Sequence, residues 1–456
     1  MIIASNRGPV SYELTDDGTP EARRGGGGLA SGLAPLLERG DTRWISAAMT
    51  DGDRVAARTG TAADDGVVLL DLDRDLYDDA YDRVSNETLW FCHHHLGDSS
   101  REPAFDRRWH QAWASFRTYN RRFAEAIVET ATDDAVVLVQ DYHLSLVGSM
   151  VRELRPDLRT VHFHHTPFGE PAFVEMLPAE VRAELAAGLA GFSALGFHTE
   201  RWVRDARASL ARCAVAEPPH TFVAPLGVDV AALGATRRSA EVAAARERLL
   251  ERVGDRAFVV RVDRMELSKN IVRGFRAFDE LLEGRPDLRG RVVFGAFCYP
   301  SRQGVEAYRR YAADVVATAE AVNERWGTAD WQPVLLETDD DYPRSVAAMA
   351  LADVLVVNPT RDGLNLVAKE ATVLSERAGA LVLSSGAGAI EELRGTCDEV
   401  DPFDVSATAA ALAAALDRDA EERAAQWERR VERATTRDAG AWLADQLAAA
   451  SPESTR

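Results

Sequence analysis

The chain has 456 residues, with 53 Lys and Arg against 73 Asp and Glu, a formal net charge of −20. That balance argues against a general binder of nucleic acid or anionic membrane, which needs a net positive face. With 46% hydrophobic and 28% charged residues the composition is that of a soluble globular protein of two to three domains, not of a disordered chain.

Short apolar runs alternate with amphipathic or alanine-rich stretches, the pattern of parallel strands joined by crossover helices. In chain order the expected strands are Ile2–Ser5, Arg43–Ala48, Val67–Leu72, Val136–Gln140, Thr160–His164, Ala194–His198 and Thr221–Ala224. A second series follows at Phe258–Val262, Val292–Phe297, Val334–Glu337, Val354–Asn358 and Leu381–Ser384. Between the two series, Leu233–Val253 is polar and helix-favouring and suits a connection from one domain to the next, and Val405–Ala450 reads as helices only. The fold class expected is α/β, with two doubly wound Rossmann-like domains in tandem, and ligands then sit beyond the carboxyl ends of the strands. The four cysteines, Cys92, Cys213, Cys298 and Cys397, form no CxxC pair, so neither a disulfide framework nor a zinc site is suggested. The chain starts MIIASNRGPV, Arg7 interrupts any signal-peptide core, and no apolar run approaches ~20 residues, so the expected compartment is the cytoplasm.

Five segments follow expected strands or open expected helices and carry chemistry. Gly25–Gly28, before a helix, lets backbone approach a phosphate or sugar, yet it is neither a GxGxxG after the first strand nor a GxxxxGK[ST] loop. Asp141 and His143 follow the strand ending VVLVQ, where a carboxylate can accept hydrogen bonds from sugar hydroxyls or cap the next helix. In VHFHHTPF, alternation puts His162 and His164 on one face and His165 on the other, which points to hydrogen bonding by His165 rather than metal ligation. His93–His95 likewise lack carboxylate or cysteine partners at ligand spacing. In VDRMELSKN, Arg264 and Lys269 can grip a diphosphate as its bond to a leaving sugar breaks, or stand as two solvated charges. Among the 53 basic residues only Lys269 and Lys369 are lysines, which marks sites where a compact ammonium does not exchange for a planar guanidinium. In NPTRDGLNLVAKE, a turn at Asp362–Gly363 leads into a helix from Asn365, whose first N–H groups suit an anionic phosphate, and Glu370 can hold a ribose diol.

The motifs SNRGP, GGLASGL, DYHL, HHTPF, GFHTE, DRMELSK, RDGLNLVAKE and GAIEEL, in this order, resemble the trehalose-6-phosphate synthase family of retaining glycosyltransferases, over roughly Ile2 to Asp404. The resemblance implies a GT-B fold: an acceptor-binding domain over 1–235, a nucleotide-sugar-binding domain over 236–435, and a C-terminal helix in 436–456 that crosses back, with the two domains facing a central cleft. It implies that the acceptor, glucose 6-phosphate, meets Arg7, Tyr81, Trp90, Asp141 and Arg302, with Trp44 nearby. The donor, UDP- or GDP-glucose, would meet Gly28, Gly363, Asn365, Leu366, Val367 and Glu370, and Arg264, Lys269, Asp362 and His165 would serve the transfer itself. No metal or other cofactor is implied, and the partners expected are small-molecule substrates, with no nucleic acid and no membrane; a homo-oligomer stays open.

The chain departs from the family pattern at HHTPFGEP, at SKN and at DYHLSL. SKN and ETLWFCHHH are also similar to the validoxylamine-phosphate synthase branch, whereas the intact Arg361–Gly363 is not. The same donor chemistry with glycerol 3-phosphate or a cyclitol phosphate as acceptor is one alternative, and a non-catalytic sugar-phosphate sensor is another. The filled diphosphate clamp stands against the sensor, and the α/β pattern alone does not make a dehydrogenase.

Overall fold

The computed structural model describes the chain except for residues 25–39, 41, 98, 99, 101, 214, 216, 217 and 452–456. Gly28 and the rest of the glycine run, with the helix expected after it, lie outside the described residues. The chain divides into two compact units, one of Met1–Leu226 with Ala439–Arg456 and one of Gly227–Asp438. The boundaries expected at 235 and 435 thus both lie inside the second unit. The polar stretch after Gly227 is no bridge between units: it forms helices Val230–Arg237 and Ala240–Val253, which belong to the second unit, and Arg237 there donates to the carbonyl of Leu374 at 3.2 Å.

The first unit is built on seven parallel strands, β1 (Ile2–Ala4), β4 (Arg43–Ala47), β5 (Val67–Leu70), β6 (Val136–Gln140), β7 (Arg159–His164), β8 (Ala194–Phe197) and β9 (His220–Val223). Their order is β5-β4-β1-β6-β7-β8-β9. β2 (Val10–Leu14) and β3 (Pro20–Arg24) form a separate antiparallel hairpin inserted after β1, closed by a turn in which Gly18 takes φ 82°. The winding reverses between β1 and β6, so the loops after these two strands open side by side at the carboxyl edge of the sheet. The helix Ala439–Ala449 returns to this unit and packs beside β7 through a fully buried Trp442, whose ring stands 5.2 Å from that of Phe163.

The second unit holds six parallel strands, β10 (Ala257–Arg264), β11 (Val292–Tyr299), β12 (Val334–Glu337), β13 (Val354–Val357), β14 (Ala380–Ser384) and β15 (Asp398–Val400), in the order β12-β11-β10-β13-β14-β15. This is the doubly wound dinucleotide-fold order, and its switch point falls between β10 and β13. The central strands are buried along nearly their whole length, as continuous apolar runs such as VLVV require when helices cover both faces.

Candidate functional site

In the first unit the switch point brings together Arg7, just past β1, and Asp141, just past β6. Arg7 is exposed, and its backbone is set from below: the indole N–H of Trp44 donates to Ser5 Oγ at 2.7 Å, and Ser5 Oγ donates to the Arg7 carbonyl at 2.7 Å. Trp44 itself is completely buried on β4, so it has no surface to offer an acceptor. Its expected place beside the ligand is corrected to that of a support under Arg7. Asn6 is also buried and accepts from the Tyr119 hydroxyl at 2.7 Å and the Tyr77 hydroxyl at 3.3 Å.

Asp141 sits at φ 71° and ψ 165°, a backbone region otherwise left almost entirely to glycine, so a side chain there costs strain. Its Oδ1 accepts the backbone N–H of His165 at 3.2 Å, tying the end of β6 to the end of β7. Tyr81 lies on an 11-residue π-helical segment, Asp79–Leu89, and stacks between Tyr77, at 5.3 Å, and His143, at 5.6 Å. Such wide turns cluster at functional sites. Trp90, one residue beyond, is buried and stacked on His94 at 3.8 Å. His93 accepts from the Gly169 N–H at 3.0 Å and His95 from the Glu170 N–H at 3.2 Å, so the histidine run anchors the loop after β7.

His165 follows β7 directly, with Nε2 against Gln140 Oε1 at 2.9 Å, and burial pushes its pKa down to about 3. His162 and His164 share the opposite face as expected, their rings linked Nε2 to Nδ1 at 3.4 Å.

In the second unit the switch point carries the cations. Lys269 follows β10, and its ammonium donates to Asp362 Oδ2 at 2.7 Å and stands 3.9 Å from Asp263. Burial alone would lower the Lys269 pKa, but the Asp362, Asp263 and Glu266 carboxylates outweigh it and the net shift is upward. The ammonium stays charged. Arg264 is more than half exposed and is held by Glu266 at 3.2 Å. Arg302 pairs with the same fully buried Glu266 at 3.8 Å and donates to the Tyr308 hydroxyl at 2.6 Å. Arg302 belongs to the second unit, whereas the other expected acceptor residues belong to the first.

Asp362 and Gly363 follow β13. Asn365, at φ 69°, is the N-cap of helix Leu366–Leu374 and gives it no side-chain cap; its Nδ2 instead donates to Asp362 at 3.1 Å. The N–H groups of Leu366 and Val367 are therefore left for an anion at the positive end of the helix. Gly388 lets the GAIEEL segment lie against this turn, since a Cβ there would stand 2.1 Å from the Gly363 carbonyl oxygen. One turn into the helix, burial raises the Glu370 carboxyl to about 7. Lys369 points elsewhere: fully buried, it is gripped by both oxygens of Glu392 at 3.0 and 3.1 Å.

Several organising residues were missed in the sequence. Arg261, completely buried on β10, donates to Asp263 at 2.8 Å and to the Lys269 carbonyl at 3.0 Å, and so sets the turn that carries the lysine. In FVVRVDR it breaks an apolar run, and a charge inside a central strand was the signal that could have found it. Glu266, Gln140 and Tyr308 gave no such signal. The departure SKN has a structural cause: Asn270 takes φ 60°, and its side chain bonds the carbonyls of Asn358 at 2.9 Å and Pro402 at 2.6 Å.

The model of glycosyltransferase family 20 matches residues 1–451. A trehalose-6-phosphate synthase of Mycolicibacterium paratuberculosis is 34% identical over 92% of this chain and 89% of its own length. Among solved structures, a UDP-forming α,α-trehalose-phosphate synthase of Burkholderia vietnamiensis superposes with a TM-score of 0.82 at 28% identity, covering 98% of this chain and 99% of that one. One from Burkholderia xenovorans, solved in complex with glucose 6-phosphate, gives 0.84 at 26%, with the same coverage. The two Rossmann-like units are those of the GT-B fold. The chain belongs to glycosyltransferase family 20.

Proposed function

We propose that the chain transfers glucose from a nucleoside diphosphate glucose to glucose 6-phosphate with retention, forming trehalose 6-phosphate. The observation that carries this reading is the diphosphate cradle at the β10/β13 switch point: the Lys269 ammonium at 2.7 Å from Asp362, the exposed Arg264, and the open N-terminus of helix Leu366–Leu374. As the bond from C1 of the sugar to the diphosphate breaks, its electron pair moves onto the phosphate oxygen. The two cations and the helix N–H groups meet that charge, and no metal ion enters the step. The acceptor hydroxyl forms its bond to C1 on the face being vacated and passes its proton to the departing phosphate. Glu370 takes the ribose diol. Arg7, Tyr81, Trp90, Asp141 and Arg302 receive the sugar phosphate, and His165 receives a hydroxyl of the donor sugar.

The glucose 6-phosphate bound by the Burkholderia xenovorans relative supports this acceptor, and the UDP-forming Burkholderia vietnamiensis relative supports uridine in the donor. Two features shared with cyclitol-coupling enzymes have local structural causes, Asn270 in its left-handed turn and the histidines that anchor residues 169 and 170, so neither argues for a different acceptor. Both substrates are soluble metabolites, in keeping with a cytoplasmic enzyme. The test is a matrix of UDP- and GDP-glucose against glucose 6-phosphate, glycerol 3-phosphate and a cyclitol phosphate. Nucleoside diphosphate release is expected with glucose 6-phosphate, and faster release with either other acceptor would overturn the assignment.

A further inference from the structure

The helix Ala439–Ala449 places two side chains one turn apart, Trp442 and Gln446, both completely buried in the first unit. The Trp442 ring stands 5.7 Å from the imidazole of His165. Gln446 Oε1 accepts from Gln140 Nε2 at 3.1 Å, and Gln140, itself completely buried at the end of β6, turns Oε1 toward His165 Nε2 at 2.9 Å. An amide oxygen has no proton to give, so the imidazole nitrogen facing it must carry the hydrogen. Burial keeps the ring neutral, so there is one ring proton, and it resides on Nε2. Nδ1 is left with a lone pair and makes no hydrogen bond among the described residues.

The relay needs its third member. Without Gln446 Oε1 to receive its N–H, the Gln140 amide can rotate by half a turn and present nitrogen to His165, which then prefers the opposite tautomer. The helix does not need a glutamine for packing. Gln446 Nε2 and the Trp442 indole N–H have no hydrogen-bond partner among the described residues, and an unsatisfied buried donor costs about 1–3 kcal/mol. A leucine at 446 would avoid that cost.

We propose that Gln446 is a positioning residue: acting through Gln140, it fixes His165 as the Nε2–H tautomer and so presents the Nδ1 lone pair to a hydroxyl of the bound sugar. The kinetic consequence rests on the transferase reading above, whereas the tautomer does not. The experiment is long-range 1H–15N spectroscopy of the full chain labelled at its histidines, with His165→Asn to assign the signal, together with steady-state kinetics. The signal lost in His165→Asn should show protonated Nε2 and bare Nδ1 throughout pH 5–8. Gln446→Leu should mix the tautomers and lower kcat about tenfold while the KM for glucose 6-phosphate stays within about twofold. Gln446→Glu, whose carboxylate still accepts from Gln140, should keep the parent tautomer and most of kcat. A protonated Nδ1 in the parent protein, or a Gln446→Leu variant with parent tautomer and parent kcat, overturns the proposal. If Gln446→Leu does not fold, the parent and Gln446→Glu spectra decide alone. If the parent shows no transferase activity but the expected tautomer, the transfer reading fails and the relay stands.

Discussion

Lys269 sits among carboxylates of Asp362, at 2.7 Å, and Asp263, at 3.9 Å, with its loop fixed from beneath by Arg261. The role proposed for it depends on a compact charge at one point, which a guanidinium fork does not reproduce in the same space. Lys269→Ala should lower kcat about 100-fold, the scale for removing a preorganised charge partner of a leaving group, and Lys269→Arg should recover little of it. Parent-like kcat in either variant would remove the ammonium from the mechanism. Glu370 gives a second prediction, on stability. Its folded-state pKa is raised by burial from 4.5 to about 7, so the folded chain retains a proton that the unfolded chain loses between those values. Its effect on stability is most favourable below pH 4.5 and is lost as pH rises through 7. Glu370→Gln should therefore gain about 2 kcal/mol relative to the parent at pH 8 over its difference at pH 4.5, read as urea midpoints. An identical pH dependence in both proteins would contradict this. Lysine scarcity singled out both Lys269 and Lys369, yet only the first follows a strand at the switch point. Lys369 pairs with Glu392 inside the protein, and composition alone does not distinguish a lysine held in such a pair from one set past a strand end.

At the level of elements, the end of β7 and the residue after it hold three histidines that burial keeps neutral. His162 and His165 are pushed by burial from 6.5 to about 3 and His164 is pushed well down, so the unfolded chain takes up protons below 6.5 that the folded chain refuses. Stability contributed by these rings is complete above pH 6.5 and is lost as pH falls, by about 1.4 kcal/mol per pH unit for each histidine. His162→Phe, beside Phe192, should lose about 2 kcal/mol less than the parent between pH 7 and 4.5, checked by urea titration at both values. An equal loss would assign the acid limb to other groups. The parallel strands were legible because buried β-branched runs carry their own signal, and the loops after them located Asp141, His165, Lys269 and Asp362. The hairpin β2–β3 was not read, because VSYEL and PEARR are polar and short, although Asp17-Gly18 between them is a turn signal. β15 is an edge strand of three residues, too short for any period. The π-helical turn that carries Tyr81 has no sequence rule, and Trp44 reads as a ligand contact until its burial under Ser5 is seen.

For the whole molecule, a net charge of −20 is compatible with the two phosphorylated ligands proposed, because the few cations proposed to meet them lie just past strand ends. Each unit should answer to its own ligand. In hydrogen exchange, UDP should protect 264–270 and 362–370 in the second unit, and glucose 6-phosphate should protect 5–7, 81–90 and 141–143 in the first, with Arg302 the exception in the second. Protection by UDP confined to the first unit would reverse the assignment of the two sites. Retaining transfer to glucose 6-phosphate is read most directly from the product itself. With UDP-glucose and glucose 6-phosphate, one UDP should be released per disaccharide phosphate, with both anomeric protons of the disaccharide in the α configuration by NMR. A β linkage, or UDP released with free glucose as the only sugar product, would contradict it.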